Sequence, residues 1–238
     1  MDPDDGVAVV IPTYNEAESI GGVLMALPRE LVRRVIVADG GSTDHTVRIA
    51  RDLGAEIIDA GKGYGRACLL GAEAAEDCGI LVFMDGDGAD DAGAICALVS
   101  PIRDNQYEFV IASRSRGQRE PGSMAGHQIA AGFAVGALIK VLYGVRYTDM
   151  CAYRAIRRPT LLALGMREMT YGGNLEMQLR VARAGLRVLE LPVTYRRRTG
   201  GKSKVAGNFS GSIKAGLRII ATFARVATEG APAGISLS

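Results

Sequence analysis

Asp85 and Asp87, one residue apart with Gly86 between them, are the residues of this 238-residue sequence whose type and spacing best suit chemistry. On a tight glycine turn such a pair can present oxygens to one Mg2+ or Mn2+, and the cation can in turn bridge the two phosphates of a diphosphate and neutralise them. A calcium loop of the EF-hand kind also begins Asp-x-Asp. It fails here, because its fifth position is Ala89, its sixth is Asp90 rather than Gly, and its twelfth is Cys96 rather than Glu. Asp90 and Asp91 add negative field beside the pair. Ala89 stands where a further polar ligand would be useful, a place that a water or Asp90 could fill.

Two other polar motifs carry groups suited to a nucleotide. In Pro12-Thr13-Tyr14-Asn15-Glu16 the proline fixes the backbone, Tyr14 can pack on a base, and Glu16 can accept from ribose hydroxyls. The alternative for Glu16 is an ordinary turn with an acid favoured by a helix N-terminus. In Asp39-Gly40-Gly41-Ser42-Thr43-Asp44 the first carboxylate can accept the ring N–H of uracil or guanine, while Thr43-Asp44 offers a helix N-cap. The run Arg196-Arg197-Arg198-Thr199-Gly200-Gly201-Lys202-Ser203-Lys204 can fold over at its glycines and clamp phosphates. It is not a P-loop, since the first glycine would fall at Arg196. Nor is Gly61-Lys62-Gly63-Tyr64-Gly65-Arg66 a dinucleotide fingerprint, since the third glycine would fall at Cys68.

Each acidic or polar motif sits just past an apolar run. Val7–Ile11, Arg34–Ala38 and Ile80–Met84 read as buried strands of a parallel sheet, joined by 55–58 and 108–112. Helices are expected near 17–27, 44–53, 65–77 and 91–101, which places the motifs at the carboxyl ends of strands, where open α/β sheets bind ligands. Beyond residue 113 the pattern gives one or two small-residue helices over 123–143, a strand at 152–156 and helices at 158–164 and 174–184. Strands at 187–191 and 193–197, divided by Pro192, and a last helix at 208–227 complete it.

The order of these motifs resembles the family 2 glycosyltransferases with the GT-A fold, and within them the dolichyl- or polyprenyl-phosphate mannose and glucose synthases. The likeness runs from about Val7 to Lys204, and four motifs in family order make it specific. It implies an α/β, Rossmann-like, mostly parallel sheet flanked by helices, with acceptor-side helices towards the C-terminus. The expected organisation is a single domain over 1–227, with a nucleotide-sugar half at 1–113, an acceptor half at 114–227 and a flexible tail at 228–238. The implied activity is a metal-dependent, inverting displacement at the anomeric carbon of a UDP- or GDP-sugar. The implied nucleotide-sugar contacts are Pro12, Tyr14, Glu16, Val37, Asp39, Asp85, Gly86, Asp87, Arg114, Arg198 and Lys204, with Asp85 and Asp87 on Mg2+ or Mn2+. Gly61–Arg66 looks like the family's turn over the nucleotide edge. Gly40 departs from the pattern, in which a second acid often follows the first.

Asp149, which opens Asp149-Met150-Cys151-Ala152-Tyr153-Arg154, resembles an acid beside the sugar, though the segment is one residue short. Glu176 resembles the acid on the family's late helix. With Asp87 these are the candidate catalytic residues. Either Asp149 or Glu176 could orient the acceptor or take its proton; the alternative is an Asp–Arg pair that only ties two elements together. A lipid phosphate, with a second pKa near ~6, is already a nucleophile at neutral pH, whereas a hydroxyl acceptor needs a general base. Polyprenyl phosphate is the favoured acceptor, and a hydroxyl of a soluble small molecule, glycan or secondary metabolite the alternative. The segment Gly126-His127-Gln128, near which members of the family usually carry basic residues, and the lack of an expected membrane anchor argue against the lipid.

The composition is compatible with this. With 48% hydrophobic and 23% charged residues the chain can bury a large core. Residues 1–100 carry 18 acids and 7 bases, a net of −11, and the remainder a net of +13, so a metal-holding half would face a phosphate-meeting half. Nucleic acid is rejected as a partner, because no nucleic-acid motif is present and aromatics are only 5%. Four cysteines without a CxxC pair, and no signal peptide, read as reduced core thiols of a cytoplasmic protein. No membrane span is expected, since the apolar stretch Ile129–Ile139 is short of ~20 residues. Ile213, Leu217, Ile220 and Phe223 share a helical face, with Lys214, Arg218 and Arg225 on another. With Ile129–Ile139 they could touch the membrane peripherally; otherwise both segments pack in the core or in a homodimer interface.

Overall fold

The computed structural model describes residues 6–200 and 221–229. Seven strands form one sheet in the order β3-β2-β1-β4-β6-β5-β7. The strands are β1 (Val7–Thr13), β2 (Arg34–Asp39), β3 (Glu56–Asp59), β4 (Ile80–Phe83), β5 (Phe109–Ser113), β6 (Arg154–Arg157) and β7 (Val188–Pro192). The helices are α1 (Ile20–Ala26), α2 (Thr46–Asp52), α3 (Tyr64–Ala74), α4 (Ile95–Arg103), α5 (Gly126–Tyr143), α6 (Arg158–Ala163) and α7 (Gly173–Arg183). Residues 221–228 are also helical.

The central strands are unbroken apolar runs because helices cover both of their faces. Val7 to Ile11 and Ile80 to Phe83 are fully buried, as expected for strands with a neighbour on each side. Helix α3 lies close on β1, since a Cβ at Gly71 would stand 2.3 Å from Val10 Cγ1. Helix α4 buries Ile95, Leu98, Val99 and Ile102, the i, i+3, i+4, i+7 stripe of an amphipathic helix.

Sheet pairing departs from all-parallel at one place. β6 enters antiparallel between β4 and β5, with Leu81 opposite Ile156 and Val110 opposite Ala155. The expected strand at 193–197 does not form. Pro192 ends β7, and what remains is a pair of isolated bridges from Tyr195 to Asp90 and to Arg119. Most of the expected helix 208–227 lies outside the described residues.

Residues 123–143 make one helix rather than two. α5 has 18 residues and is, by length and composition, long and apolar enough to cross a membrane. The apolar count of Ile129–Ile139 missed this, because Gly126–Gln128 and Lys140–Tyr143 extend the helix at both ends. Gly132, Val135, Gly136 and Ile139 face the protein, and a Cβ at Gly136 would stand 1.9 Å from the Tyr147 carbonyl oxygen. Phe133, Leu138, Val141 and Leu142 are exposed.

Two other expectations need correction. Cys68, Cys78 and Cys151 are buried free thiols, but Cys96 is exposed on α4. Phe223 is 8% exposed and packs in the main core, so it is not part of an outward apolar face.

Candidate active site

The loops that leave β1 and β2 are stitched to each other. Asn15 adopts φ 54°, a left-handed conformation that Asn tolerates better than most residues. It accepts from the Thr43 amide at 2.8 Å, while its own amide donates to Ser42 Oγ at 2.9 Å. The Glu16 amide donates to Thr46 Oγ1 at 2.8 Å. Asp44 accepts from the Thr46 and Ala17 amides, so it closes the start of α2 one residue before the cap position, which is His45. The rigid result is a shelf that presents Pro12, Tyr14 and Glu16.

A cavity of about 540 Å³ opens above this shelf at the carboxyl ends of β1 and β4. Pro12, Tyr14, Glu16, Asp85, Gly86, Asp87 and Arg198 all line it, so the structure brings these expected contacts together. Lys62, Gly63 and Tyr64, at the start of α3, form another wall.

Asp85 and Asp87 lie on the floor. Asp87 Oδ1 accepts from the Ala89 amide at 3.0 Å, which tightens the turn. Burial, and then the like charge of Asp87, pushes the Asp85 carboxyl up to about 6. Asp90 is 7% exposed, and its Oδ2 accepts from the Asp85 amide at 3.1 Å. Burial, then Asp85, pushes Asp90 up to about 8. Among the described residues no three His, Cys, Asp or Glu side chains converge as a complete metal cage. A two-carboxylate set facing a cavity suits a cation that keeps waters and takes its remaining oxygens from a phosphate ligand.

The basic loop crosses over this turn. The Arg196 amide donates to Ala89 O and the Thr199 amide to Asp87 O, each at 2.9 Å. Gly88, at φ 79°, makes room, since a Cβ there would stand 2.1 Å from Thr199 Oγ1. Arg198 reaches Glu16 Oε2 at 3.1 Å and Oε1 at 3.2 Å. Arg196 instead points to Asp91 at 3.6 Å and is half exposed, while Arg197 donates to Pro121 O. Lys204 lies outside the described residues.

Other expected contacts stand elsewhere. Val37 is fully buried in β2, with its side chain in the core. Asp39 accepts from the Gly41 and Ser42 amides and from Ser42 Oγ, so it organises its own loop, and its neighbour Gly40 lines the cavity in its place. Arg114 and Asp149 find each other. The guanidinium makes two bonds, 2.9 Å from Nε and 2.8 Å from Nη2, and the Arg114 amide adds a third at 2.9 Å. This is an Asp–Arg pair tying the end of β5 to the 147–151 loop, and neither residue lines the cavity.

Glu176 is fully buried and does not line the cavity either. It accepts from the Arg167 and Glu168 amides and pairs with Arg180 at 2.9 Å. A base role for Asp149 or Glu176 therefore meets the same obstacle in both, for each carboxylate is committed to fixed donors and neither lines the cavity. Sequence reasoning missed Thr170 and Tyr171, which also line the cavity. No motif announces them; their only signal is the Gly172-Gly173 pair that follows and opens α7.

The Glycosyl transferase family 2 model matches residues 8–165. A protein of Mycobacterium tuberculosis called an uncharacterized glycosyltransferase is 38% identical over 215 residues, covering 88% of this chain and 94% of its own. The undecaprenyl-phosphate mannosyltransferase of Micrococcus luteus is 32% identical over 224 residues, covering 86% and 89%. Among solved structures, glucosyl-3-phosphoglycerate synthase from Mycobacterium tuberculosis, in complex with Mn2+, UDP and phosphoglyceric acid, superposes with a TM-score of 0.72 at 21% identity. That match covers 94% of this chain and 79% of the other. The architecture is that of the GT-A glycosyltransferases.

Proposed function

The chain belongs to glycosyl transferase family 2, and on that premise we propose that its cavity takes a UDP- or GDP-sugar with Mg2+ or Mn2+ and transfers the sugar, with inversion, to a polyprenyl phosphate. Tyr14 packs on the base, Glu16 faces the ribose, and Asp85 and Asp87 hold the cation. That cation, when bound, neutralises charge on the leaving diphosphate. Arg198 meets the same diphosphate from above, and the residues act mainly by position and electrostatics.

One observation favours the phosphate acceptor. Among the described residues, the carboxylates lining the cavity are Glu16, Asp85 and Asp87. Glu16 is paired with Arg198, and the other two are the proposed metal ligands. The two carboxylates expected as bases are buried in ion pairs elsewhere. A phosphate acceptor, already ionised at neutral pH, needs none of them. The relative named an undecaprenyl-phosphate mannosyltransferase supports the same choice.

The test is a screen of UDP- and GDP-sugars against undecaprenyl phosphate and soluble hydroxyl acceptors, read as released nucleotide. Release that requires both the lipid phosphate and a divalent cation is the expected result. Transfer to soluble hydroxyls alone would replace the lipid by the alternative acceptor class.

A lipid acceptor calls for contact with the membrane surface, and α5 is the element that suits it. Only 22% of this helix is buried, and Phe133, Leu138, Val141 and Leu142 face outward. The protein is expected to co-sediment with anionic liposomes, and the double substitution Val141→Glu with Leu142→Glu to release it without loss of secondary structure. Equal sedimentation of wild type and variant would take α5 out of the contact.

A further inference from the structure

Glu176 was expected as a base, yet its surroundings are those of a structural anion. Its Oε2 accepts from the Arg167 amide at 3.0 Å and the Glu168 amide at 2.6 Å. Its Oε1 is 2.9 Å from Arg180 Nε and 3.2 Å from Arg225 Nη2, the latter an ion pair without hydrogen-bond geometry. Arg225 comes from the helical segment 221–228 and also lies 3.8 Å from Glu168. Glu229 closes the network from the same segment, with Arg167 at 3.3 Å and Arg180. Arg183 donates to the Val226 and Glu229 carbonyls.

What this network holds is a wall of the cavity. Glu168 Oε1 accepts from the Thr170 amide and hydroxyl. The backbone then grips the first turn of α3, with Gly65 N donating to Thr170 O and Arg66 N to Met169 O, each at 3.0 Å. The fit admits no side chain, since a Cβ at Gly65 would stand 1.9 Å from Glu168 O. Thr170 and Tyr171 on one strip, and Gly63 and Tyr64 on the other, are cavity lining.

We infer that Glu176 is a positioning residue, and that with Arg225 it makes the terminal segment 221–229 a brace for the cavity wall 166–172 and the start of α3. Ordering of the terminal segment is thereby coupled to the shape of the nucleotide pocket, although no residue of that segment lines the pocket. The inference deepens the donor-site reading and rests on it for the word nucleotide; the brace itself stands on the contacts alone.

The test uses the full chain and two readouts. Hydrogen exchange is followed across 166–172 and 64–68, with β1 as an internal reference, in wild type, Arg225→Gln, Glu176→Gln and Arg225→Lys. Binding of UDP and of GDP, each with Mn2+, is measured by calorimetry. Arg225→Gln and Glu176→Gln are each expected to speed exchange at 166–172 but not in β1, and to weaken nucleotide binding by about tenfold. The double variant should be little worse than either single one, and Arg225→Lys should restore most of the affinity.

Faster exchange with unchanged nucleotide affinity would overturn the coupling. Unchanged exchange in Arg225→Gln would overturn the brace. A base at Glu176 predicts a different pattern, with turnover lost in Glu176→Gln at native nucleotide affinity and a silent Arg225→Gln. Should wild type bind neither nucleotide, the donor reading falls, and local exchange at 166–172 decides the brace by itself.

Discussion

Asp87→Ala is expected to lower sugar transfer by roughly 10³-fold, or about 4 kcal/mol of transition-state stabilisation, with the fold intact. Two carboxylates face the cavity from the turn after β4, and Asp87 is the one whose like charge raises its neighbour. Its removal leaves one protein oxygen donor group where a cation and a diphosphate must be held together. The structural loss is small. The Asp87 side chain makes one bond to the Ala89 amide, worth about 1 kcal/mol, while the turn stays anchored through the backbone carbonyl that Thr199 holds. Asp85→Asn should weaken nucleotide binding less severely, since an amide oxygen still points into the site. Transfer rates over a Mn2+ titration, with melting curves of each variant, make the measurement. Undiminished activity of wild type in excess chelator would sink the metal reading altogether.

The parts of this site that could be read in the sequence are those built from local order. A proline leaving an apolar run, or two carboxylates around a glycine, sets its geometry within a few residues, so Tyr14, Glu16, Asp85 and Asp87 fall where their motifs put them. Partners far apart in the chain were not legible. An Asp–Arg tie was one reading of Asp149, but Arg114 is 35 residues away, and nothing local names it as the partner. Glu176 shows as an acid on an apolar-flanked helix, but one of its ion-pair partners, Arg225, comes from a segment that begins 45 positions later. β6 was legible as a short strand, though not as an antiparallel insert, because its pairing with β4 and β5 is set by the return path of the chain through the 144–153 loop. Thr170 and Tyr171 were invisible for the same reason, since their loop becomes a wall only when Glu168 and Glu176 hold it against α3.

Within the basic run, the register matters more than the charge. Arg198→Ala is expected to reduce kcat/KM by roughly 10²-fold, and Arg196→Ala to change it by less than about twofold. Both side chains leave the same loop, whose backbone is pinned to Ala89 O and Asp87 O whatever the side chains are. Arg198 lines the cavity, with its Nε on Gly200 O at 2.7 Å and Nη2 forked between the Glu16 oxygens. It is thus held in the same cavity as Asp85 and Asp87. Arg196 reaches out to Asp91 at 3.6 Å with half of its side chain in solvent, an arrangement worth about 0–1 kcal/mol. Arg198→Lys should recover only part of the loss, because an ammonium group cannot fork across two phosphate oxygens as a guanidinium does. The deficit should appear in turnover more than in stability, since a partly exposed ion pair with Glu16 adds little to folding. Steady-state kinetics of the three variants against the donor settle the order. If Arg196→Ala proved the most damaging, the loop would enter the site in a different register, and the guanidinium over the diphosphate would belong to another arginine.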